Sequence, residues 1–415
     1  AESGVRRIDA SGLLVLPGGV DPHVHLGGRW VDDYRTGSMA ALAGGITTIS
    51  NFASAGRGSD LTEVIDRQAA LIAQQAIADV ILHTTINDPE AHAPQMGALA
   101  ATGQTSIKIF MNFGGFDPNA SAFLQMIAAA GDAGVLTMIH AEDASILANQ
   151  AAELEAQGRT SVAYQPEARP ALAEEVAMMR AVAMAEQTGS PVYAVHVSSE
   201  RALRVAQAAR ARGLPFFIET RPIYLHLTRE RFDGPDAGLY VGQPPLREQS
   251  DQDALWEALA NGTIDVVGTD HVAYSREDKL DPSQTITNHR AGMNHLQMLR
   301  PLLFSDGVLA GRISVERFVE VTATNPAKLF GIFPEKGTIA VGSDADLVLW
   351  DPEETRTVRD QDMFSATGFS IYAGWEVTGW PVVTLRRGEV VFEGGEITGQ
   401  AGTGRLLKRS RWEER

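Results

Sequence analysis

The chain has 415 residues, of which 44% are hydrophobic and 21% are charged, a composition typical of a globular protein. Its 40 glycines and 19 prolines are spread along the sequence, which excludes collagenous and low-complexity proteins. Because there is no cysteine, disulfides, thiolate metal sites and a cysteine nucleophile are also excluded. The formal charge of −17 disfavours nucleic acid or an anionic membrane as a partner.

The chain shows no sign of a membrane or export segment. No apolar run approaches the roughly 18 residues that a membrane span needs, and the first residues are polar and lack a signal-peptide core. We therefore expect a cytoplasmic protein whose partner is a small molecule.

Apolar, β-branched segments alternate with segments of helical pattern over most of the chain. The predicted strands are residues 19–26, 45–52, 78–86, 106–111, 135–143, 191–199, 216–222 and 264–271. Helices are predicted between them, for example over 61–77, 171–187 and 200–212, and Gly213 supplies a stop after the last of these. Alternating β and α units of this number predict an α/β fold, a (β/α)8 TIM barrel over residues 19–331.

The sequence pattern changes after the barrel. Residues 337–352 and 380–392 have the pattern of short strands with Gly and Asp turns, and no helix is predicted between them. They predict a small β-sandwich domain, to which residues 332–395 contribute. The tail, residues 396–415, ends in a segment of mixed charge that is predicted as a solvated or subunit-contacting arm.

Six ionisable residues fall at or near the carboxyl ends of predicted strands. His23 and His25 are one residue apart on the first strand, so their side chains point to the same side. The fourth, fifth, sixth and eighth strands carry Lys108, His140, His196 and Asp270. Barrel enzymes place their active sites at this end of the strands. We therefore expect the six residues to converge as ligands of a metal centre.

The residue types also indicate which metals are bound. Neutral imidazoles and a carboxylate suit Zn²⁺ or a similar borderline ion. Two divalent ions held by four histidines and Asp270 would benefit from an anionic bridge, which a lysine ammonium cannot supply. Burial lowers the pKa of a lysine, and the free amine can take up CO₂ to form a carbamate with two oxygens. Lys108 lies in an apolar strand, so two divalent ions, with zinc favoured, and a carbamylated Lys108 are predicted.

The sequence resembles the cyclic amidohydrolases, most closely the hydantoinase/dihydropyrimidinase branch. The strings that carry the resemblance cover nearly the whole chain: PGGVDPHVHL, SIKIFM, IHAED, YQPEARP, VYAVHVSS, ETRPIYL, PPLR, GTDH, NPAKLFGIFPEKGTIAVGSDADLVLWDP and GWEVTGWPVVTLRRGEVV. In that family the positions equivalent to the six residues above hold two metals, usually zinc, with the lysine carbamylated. The resemblance also implies a homodimer or homotetramer, and it makes residues 1–18 the remnant of an N-terminal β-sandwich part. We expect the GSDAD turn to be structural.

The resemblance implies that the protein opens a ring amide bond. The metals would lower the pKa of a bound water that attacks the carbonyl carbon. Asp270 would be the catalytic residue, taking the proton from this water and passing it to the leaving ring nitrogen. A hydantoin or a dihydropyrimidine would then give an N-carbamoyl amino acid.

The substrate pocket departs from the family pattern. Phe113 stands where the family carries an oxyanion-binding Tyr, and Gln243 replaces the Ser before PPLR. The family's Asn is kept as Asn288, with His289 added beside it. These four residues are predicted to bind substrate. Gln243, Asn112 or His289 could supply the hydrogen-bond donor that Phe113 lacks.

Several alternatives stay open. An allantoinase or another cyclic imide or amide hydrolase would share most of the ligand set. Dihydroorotases carry an Arg at the place of Gly27, which disfavours that branch, while Arg29 nearby has either a surface role or contact with an anionic substrate. Some dihydropyrimidinase relatives are non-catalytic assembly proteins, and metal content would distinguish this class.

Overall fold

The computed structural model describes residues 6–412. Its strands in chain order are β1 Leu14–Pro17, β2 Gly19–Asp21, β3 Val24–His25, β4 Ile46–Ser54, β5 Asp79–Thr85, β6 Ser106–Phe110, β7 Leu136–His140, β8 Val192–Ala194, β9 Phe216–Thr220, β10 Val266–Val267, β11 His271–Val272, β12 Leu347–Thr357, β13 Glu376–Arg386, β14 Glu389–Glu393 and β15 Glu396–Ile397. Its α-helices are α1 Tyr34–Ala43, α2 Leu61–Gln75, α3 Pro89–His92, α4 Met96–Ala101, α5 Ala120–Asp132, α6 Ala144–Ala156, α7 Gln165–Ala168, α8 Ala171–Thr188, α9 Glu200–Ala211, α10 Pro222–His226, α11 Gln249–Ala260, α12 Arg276–Lys279, α13 Leu299–Leu303, α14 Val315–Val319 and α15 Asn325–Leu329.

The strands close into a parallel barrel. An eight-stranded sheet runs in the order β10-β9-β8-β7-β6-β5-β4-β2, and β3 and β11 form a parallel pair in which Val24 lies opposite His271. Since β3 follows β2 and β11 follows β10, this pair joins the two edges of the sheet. The predicted (β/α)8 barrel is confirmed, and every predicted strand coincides with an observed strand to within a few residues.

Strand periodicity decides which side chains face the barrel interior, because successive residues point to opposite faces. In β7, Leu136 and Met138 belong to the interior cluster, and His140 follows at the next inward position. In β6, Ile107 packs in the outer cluster beneath the helices, so Lys108 faces inward. Apolar residues thus fill the base of the barrel, and polar residues stand at its carboxyl end.

The three helices taken as examples in the sequence are α2, α8 and α9, with ends shifted by two residues at most. Asp60 caps α2 by accepting hydrogen bonds from the N–H groups of Thr62 and Glu63 at 2.8 and 3.3 Å. Gly213 follows α9 with a φ of 80°, the left-handed conformation that ends many helices. Within residues 6–412, no helix combines the length and apolar character needed to cross a membrane.

The small β domain is one five-stranded antiparallel sheet over the described residues, in the order β1-β12-β13-β14-β15. The segment ahead of the barrel contributes β1, whose Leu14 pairs with Trp350 of β12. The Trp350 ring lies 5.2 Å from Phe304 and 5.8 Å from Phe318, on helical segments of the barrel. One face of this sheet is therefore buried against the barrel. The sequence predicts a β-sandwich, in which a second sheet would cover that face. Residues 1–5 of the predicted remnant lie outside the described residues.

The C-terminal tail packs against the base of the barrel, unlike the solvated arm that its charge pattern predicts. The Leu407 N–H donates to the Val80 carbonyl at 2.8 Å, and Arg409 Nη1 donates to Ser106 Oγ at 2.8 Å. Leu407 and Arg409 are 6% and 5% exposed because they cover the amino ends of β5 and β6. Residues 413–415 lie outside the described residues.

A buried ion cluster joins the barrel to the small sheet. Lys336 Nζ lies 2.7 Å from Asp79 and 2.9 Å from both Asp344 and Asp346, and Arg387 also pairs with Asp79. Burial acts to raise the pKa of Asp79, but the Lys336 and Arg387 charges hold it below its ordinary value. Asp344 and Asp346 belong to the GSDAD turn, which thus has the structural role that we expect.

We expect Lys336→Met to lower the free energy of unfolding by about 3–5 kcal/mol, because it removes the cation shared by Asp79, Asp344 and Asp346 and leaves only Arg387 to pair with Asp79. Urea unfolding followed by circular dichroism measures this change. Lys328→Met, at an exposed lysine, is the matched control and should change stability by less than about 0.5 kcal/mol. Equal effects of the two substitutions would contradict the prediction.

Candidate active site

A cleft of about 720 Å³ opens at the carboxyl ends of the barrel strands. Its lining includes all six residues that the sequence predicts as metal ligands: His23, His25, Lys108, His140, His196 and Asp270. Apart from the neighbouring His23 and His25, these residues are far apart in the sequence. Closure of the barrel brings them together.

His23 and His25 both face Asp270. Their Nε2 atoms lie 3.2 and 3.0 Å from Asp270 Oδ1. These three potential ligand atoms are close enough to bind the same metal ion. Asp270 has a φ of 50°, in the left-handed region that few residues other than glycine, asparagine and aspartate adopt readily. Backbone strain of this kind is concentrated at functional sites.

The other two histidines continue this group. The ring centroids of His140 and His196 are 4.5 Å apart, and that of His196 is 5.5 Å from His23. His196 also has a left-handed backbone, with a φ of 43°. The imidazoles thus extend from Asp270 across the cleft floor, which gives more ligands than a single ion requires.

Two buried carboxylates orient the imidazoles. Glu219 Oε1 lies 2.7 Å from His23 Nδ1 and accepts the His196 backbone N–H at 2.9 Å. Glu142 Oε2 lies 2.7 Å from His140 Nε2. Each carboxylate that accepts a ring N–H leaves the other ring nitrogen free to bind a metal, namely Nε2 of His23 and Nδ1 of His140.

Burial sets the charge state of the site. It lowers the pKa of His140, and it lowers the pKa of His23 and His196 well below the usual value, so these rings are neutral. Burial acts to raise the pKa of Asp270, but the positive charge of Arg221 and a hydrogen bond from His25 hold it well below its ordinary value. Arg221 Nη1 lies 3.2 Å from Asp270 Oδ2, which leaves Oδ1 to face the imidazoles.

Lys108 is fully buried in the floor of the cleft. Its Nζ has no hydrogen-bond partner among residues 6–412 and lies 5.5 Å from the Phe52 ring and 5.1 Å from the Phe110 ring. Burial lowers the pKa of Lys108 to about 8. A buried ammonium without partners is costly, so the geometry favours the neutral amine that reacts with CO₂.

This donor set fits two divalent ions. It offers neutral imidazole nitrogens, an ionised carboxylate and an unpartnered amine within one cleft, and outer carboxylates orient at least two of the rings. The residues could therefore hold a binuclear metal centre.

Three of the four predicted pocket residues line the cleft. Phe113 is 57% exposed there. His289 Nδ1 donates to the Thr285 carbonyl at 3.1 Å, so its Nε2 accepts the hydrogen bond from Gln243 Nε2 at 3.1 Å. Asn112 Nδ2 lies 3.4 Å from Gln243 Oε1. Asn112, Gln243 and His289 thus form a connected polar group, here called the amide wall.

Asn288 is not among the residues that line the cleft. It is exposed, and its backbone N–H donates to Thr285 Oγ1 at 3.0 Å while its carbonyl accepts the Thr285 N–H at 2.9 Å. Asn288 therefore closes the turn that carries His289. Burial lowers the pKa of His289 to about 4, which keeps that ring neutral.

The sequence interpretation missed several residues of the site. Glu219 and Arg221 both belong to the segment that contains β9, and Glu142 follows β7, so strand periodicity could have shown their inward direction. Trp30 and Tyr274 line the cleft from loops, and no periodic signal marks them.

Comparison with known proteins identifies the family. A family model described as the amidohydrolase family matches residues 14–391. A D-hydantoinase from Ralstonia pickettii is 36% identical over 422 residues, which cover 99% of this chain and 92% of that protein. Among solved structures, D-hydantoinase from Bacillus sp. AR9 matches with a TM-score of 0.95 and 36% identity, covering 99% of this chain and 92% of its own.

Dihydropyrimidinase from Brevibacillus agri matches with a TM-score of 0.93 and 34% identity, covering 99% of this chain and 91% of its own. The likeness extends over both the barrel and the small sheet, and it confirms the resemblance to cyclic amidohydrolases that the sequence motifs indicate. The chain belongs to the amidohydrolase family.

Proposed function

We propose that this protein is a binuclear metal-dependent hydrolase that opens a cyclic amide of the hydantoin or dihydropyrimidine type to an N-carbamoyl amino acid. The observation that carries this proposal is the buried, unpartnered amine of Lys108 among four histidines and Asp270. The relatives named D-hydantoinase and dihydropyrimidinase support the ring type.

The ligands of two divalent ions would be His23, His25, carbamylated Lys108, His140, His196 and Asp270. Zinc suits this set of imidazole and carboxylate donors. When bound, the two ions supply an activated water nucleophile and a Lewis acid that polarises the ring carbonyl.

Asp270 is the catalytic residue that moves the proton. Its carboxylate is a proton acceptor, and Oδ1 would take a proton from the attacking water and deliver it to the leaving ring nitrogen. Arg221 is fully buried and also donates to the Thr269 carbonyl at 2.9 Å. This fixed guanidinium holds Asp270 Oδ2 and thereby orients Oδ1.

The amide wall binds the ring. Gln243 Nε2 carries two hydrogens, of which one is donated to His289. The second is available to a ring carbonyl oxygen, and Asn112 supports the opposite end of the Gln243 amide. In this way the wall supplies a donor that Phe113 lacks.

We expect Phe113→Tyr to raise kcat/KM for hydantoin by about tenfold or more, since one oxyanion donor is worth on the order of 10²–10³ in rate. Phe113 is exposed in the cleft, so the added hydroxyl needs no repacking. Steady-state hydrolysis measures the change, with Phe333→Tyr, at another exposed phenylalanine, as the matched control. An unchanged rate for Phe113→Tyr would count against this pocket assignment.

A ring-opening assay tests the proposed function. The metal-loaded protein, with bicarbonate present, is given dihydrouracil, 5-substituted hydantoins, allantoin and a cyclic imide, with Asp270→Asn as the blank. We expect turnover of a hydantoin or of dihydrouracil and two metals per chain. Turnover of allantoin or the imide alone would favour the alternative hydrolases, and absence of both turnover and metal would favour a non-catalytic assembly protein.

We also propose that the protein is a cytoplasmic homodimer or homotetramer. An exposed groove of about 690 Å³ between α8 and α9 supports self-association, because Met179 there is 51% exposed and Leu172 nearby is 45% exposed. Light scattering coupled to size-exclusion chromatography tests the oligomeric state, and cell fractionation tests the location.

A further inference from the structure

The charge of the cleft contrasts with that of the whole chain. The chain carries −17, yet two exposed arginines, Arg29 and Arg290, line the cleft. Asp270 is the one acidic residue in the lining among residues 6–412, and its carboxylate belongs to the reaction centre. The outer part of the cleft is therefore cationic.

These two arginines have no carboxylate partner within the described part of the chain. Other surface arginines, such as Arg180 and Arg212, pair with carboxylates, whereas Arg29 and Arg290 form no ion pair within residues 6–412. Their charges are thus available to a ligand. Unpaired guanidiniums in a cleft attract anions and bind planar carboxylates through paired N–H groups.

Aromatic side chains place Arg29 close to the reaction centre. Its Cζ lies 4.2 Å from the Trp30 ring centroid, so the guanidinium stacks on the indole. The Trp30 ring is 6.0 Å from His25 and 5.1 Å from Tyr274, which it meets edge-on. Trp30 therefore lies between His25 and Arg29, so an arm extending from a ring at the metal site would reach Arg29 along this aromatic surface.

Arg290 lines the same cleft from the loop that follows α12. Lys279 Nζ donates to the Arg290 carbonyl at 2.8 Å, which fixes the loop. Burial raises the pKa of the Tyr274 hydroxyl, and the charges of Arg29 and Arg290 both oppose this rise. The charges of both arginines therefore lower the pKa of the Tyr274 hydroxyl. The charge of Asp278, which is exposed and outside the cleft lining, raises this pKa.

We propose that Arg29, Arg290 and the Tyr274 hydroxyl form an anion subsite, and that the preferred substrate is a cyclic amide whose ring substituent ends in a carboxylate. This inference rests on the proposed function and narrows its substrate class. The two guanidiniums bind the carboxylate oxygens, and the hydroxyl adds a further donor. Trp30 packs against the short arm that joins the carboxylate to the ring.

The test compares acids with matched neutral substrates. Rates of hydrolysis by the metal-loaded protein are measured for hydantoin-5-acetate and hydantoin-5-propionate, and each is compared with the rate for the corresponding primary amide. We expect kcat/KM for at least one acid to exceed that of its amide by about tenfold or more, and the advantage to shrink as salt is added. Arg29→Gln combined with Arg290→Gln should remove the advantage through KM, with a much larger loss for the acids than for the amides. Arg359→Gln, at an exposed arginine two residues beyond the end of β12, is the control and should preserve it.

Binding is measured separately from turnover, by calorimetry of each acid and amide with the metal-loaded Asp270→Asn chain. Equal turnover of acids and amides, or equal losses for both in the double variant, would overturn the subsite while leaving the proposed function intact. Tighter, arginine-dependent binding of the acids without any hydrolysis by the wild-type protein would support the subsite and reject the proposed function. Binding without charge preference would also overturn the subsite.

Discussion

Replacing Lys108 with alanine is expected to lower ring-opening activity by about 10³-fold or more. The side chain is fully buried and has no hydrogen-bond partner among residues 6–412, so the fold gains little from its amine. Its expected contribution is a carbamate that would help to hold two divalent ions, and such ions would supply several kcal/mol of barrier lowering. Steady-state rates and metal content per chain, measured with and without bicarbonate, check the prediction.

The Lys108→Ala variant also allows a rescue experiment. Truncation leaves space between Phe52 and Phe110, and acetate or propionate carries the two oxygens of the missing carbamate. We expect these acids to restore part of the activity and of the metal content. Native mass spectrometry should show one added CO₂ on the wild-type chain and none on the variant. Lys328→Ala serves as the control, and unchanged activity of Lys108→Ala would refute the assignment.

We expect Asp270→Asn to abolish turnover while the chain keeps much of its metal. The amide oxygen of asparagine remains a possible ligand, but it cannot take up the proton from the attacking water, a function worth about 10²–10⁴ in rate. Asparagine tolerates the left-handed backbone at this position, where φ is 50°, so the substitution adds little strain. The measurement is kcat/KM for the best substrate together with metal analysis.

Asp60→Asn is a suitable control for Asp270→Asn, because Asp60 caps α2 and asparagine caps helices equally well. That variant should keep full activity. Near-normal activity of Asp270→Asn would require another base in the cleft. Loss of all metal from Asp270→Asn would instead show that the carboxylate acts mainly as a ligand.

The convergence of the six candidate ligands in one cleft could be predicted from the sequence because each residue stands at a position that strand geometry determines. On β7, Leu136, Met138 and His140 occupy every second position, so their side chains lie on the same face of the strand. Because Leu136 and Met138 belong to the interior cluster, His140 also points into the barrel. The carboxyl ends of parallel strands meet at one face, whatever the loops between them do. The same argument places Lys108 in an apolar environment.

The substrate side could be predicted less well. Phe113, Gln243 and His289 do line the cleft, but Asn288 supports the turn behind it, and Trp30 and Tyr274 were not anticipated. These residues lie on loops after the strands, where no hydrophobic period constrains direction. Their placement depends on contacts such as those of Lys279 with three loop carbonyls.

The barrel and the six candidate ligands could be predicted without the structure, because period-2 alternation and residue chemistry are local properties of the chain. The tertiary structure decided which ring nitrogens are free, since Glu219 and Glu142 orient His23 and His140. It also decided that the tail covers the barrel base and that the small domain is a single sheet over the described residues. These features depend on contacts between segments that are distant in the chain, and only the folded arrangement establishes them.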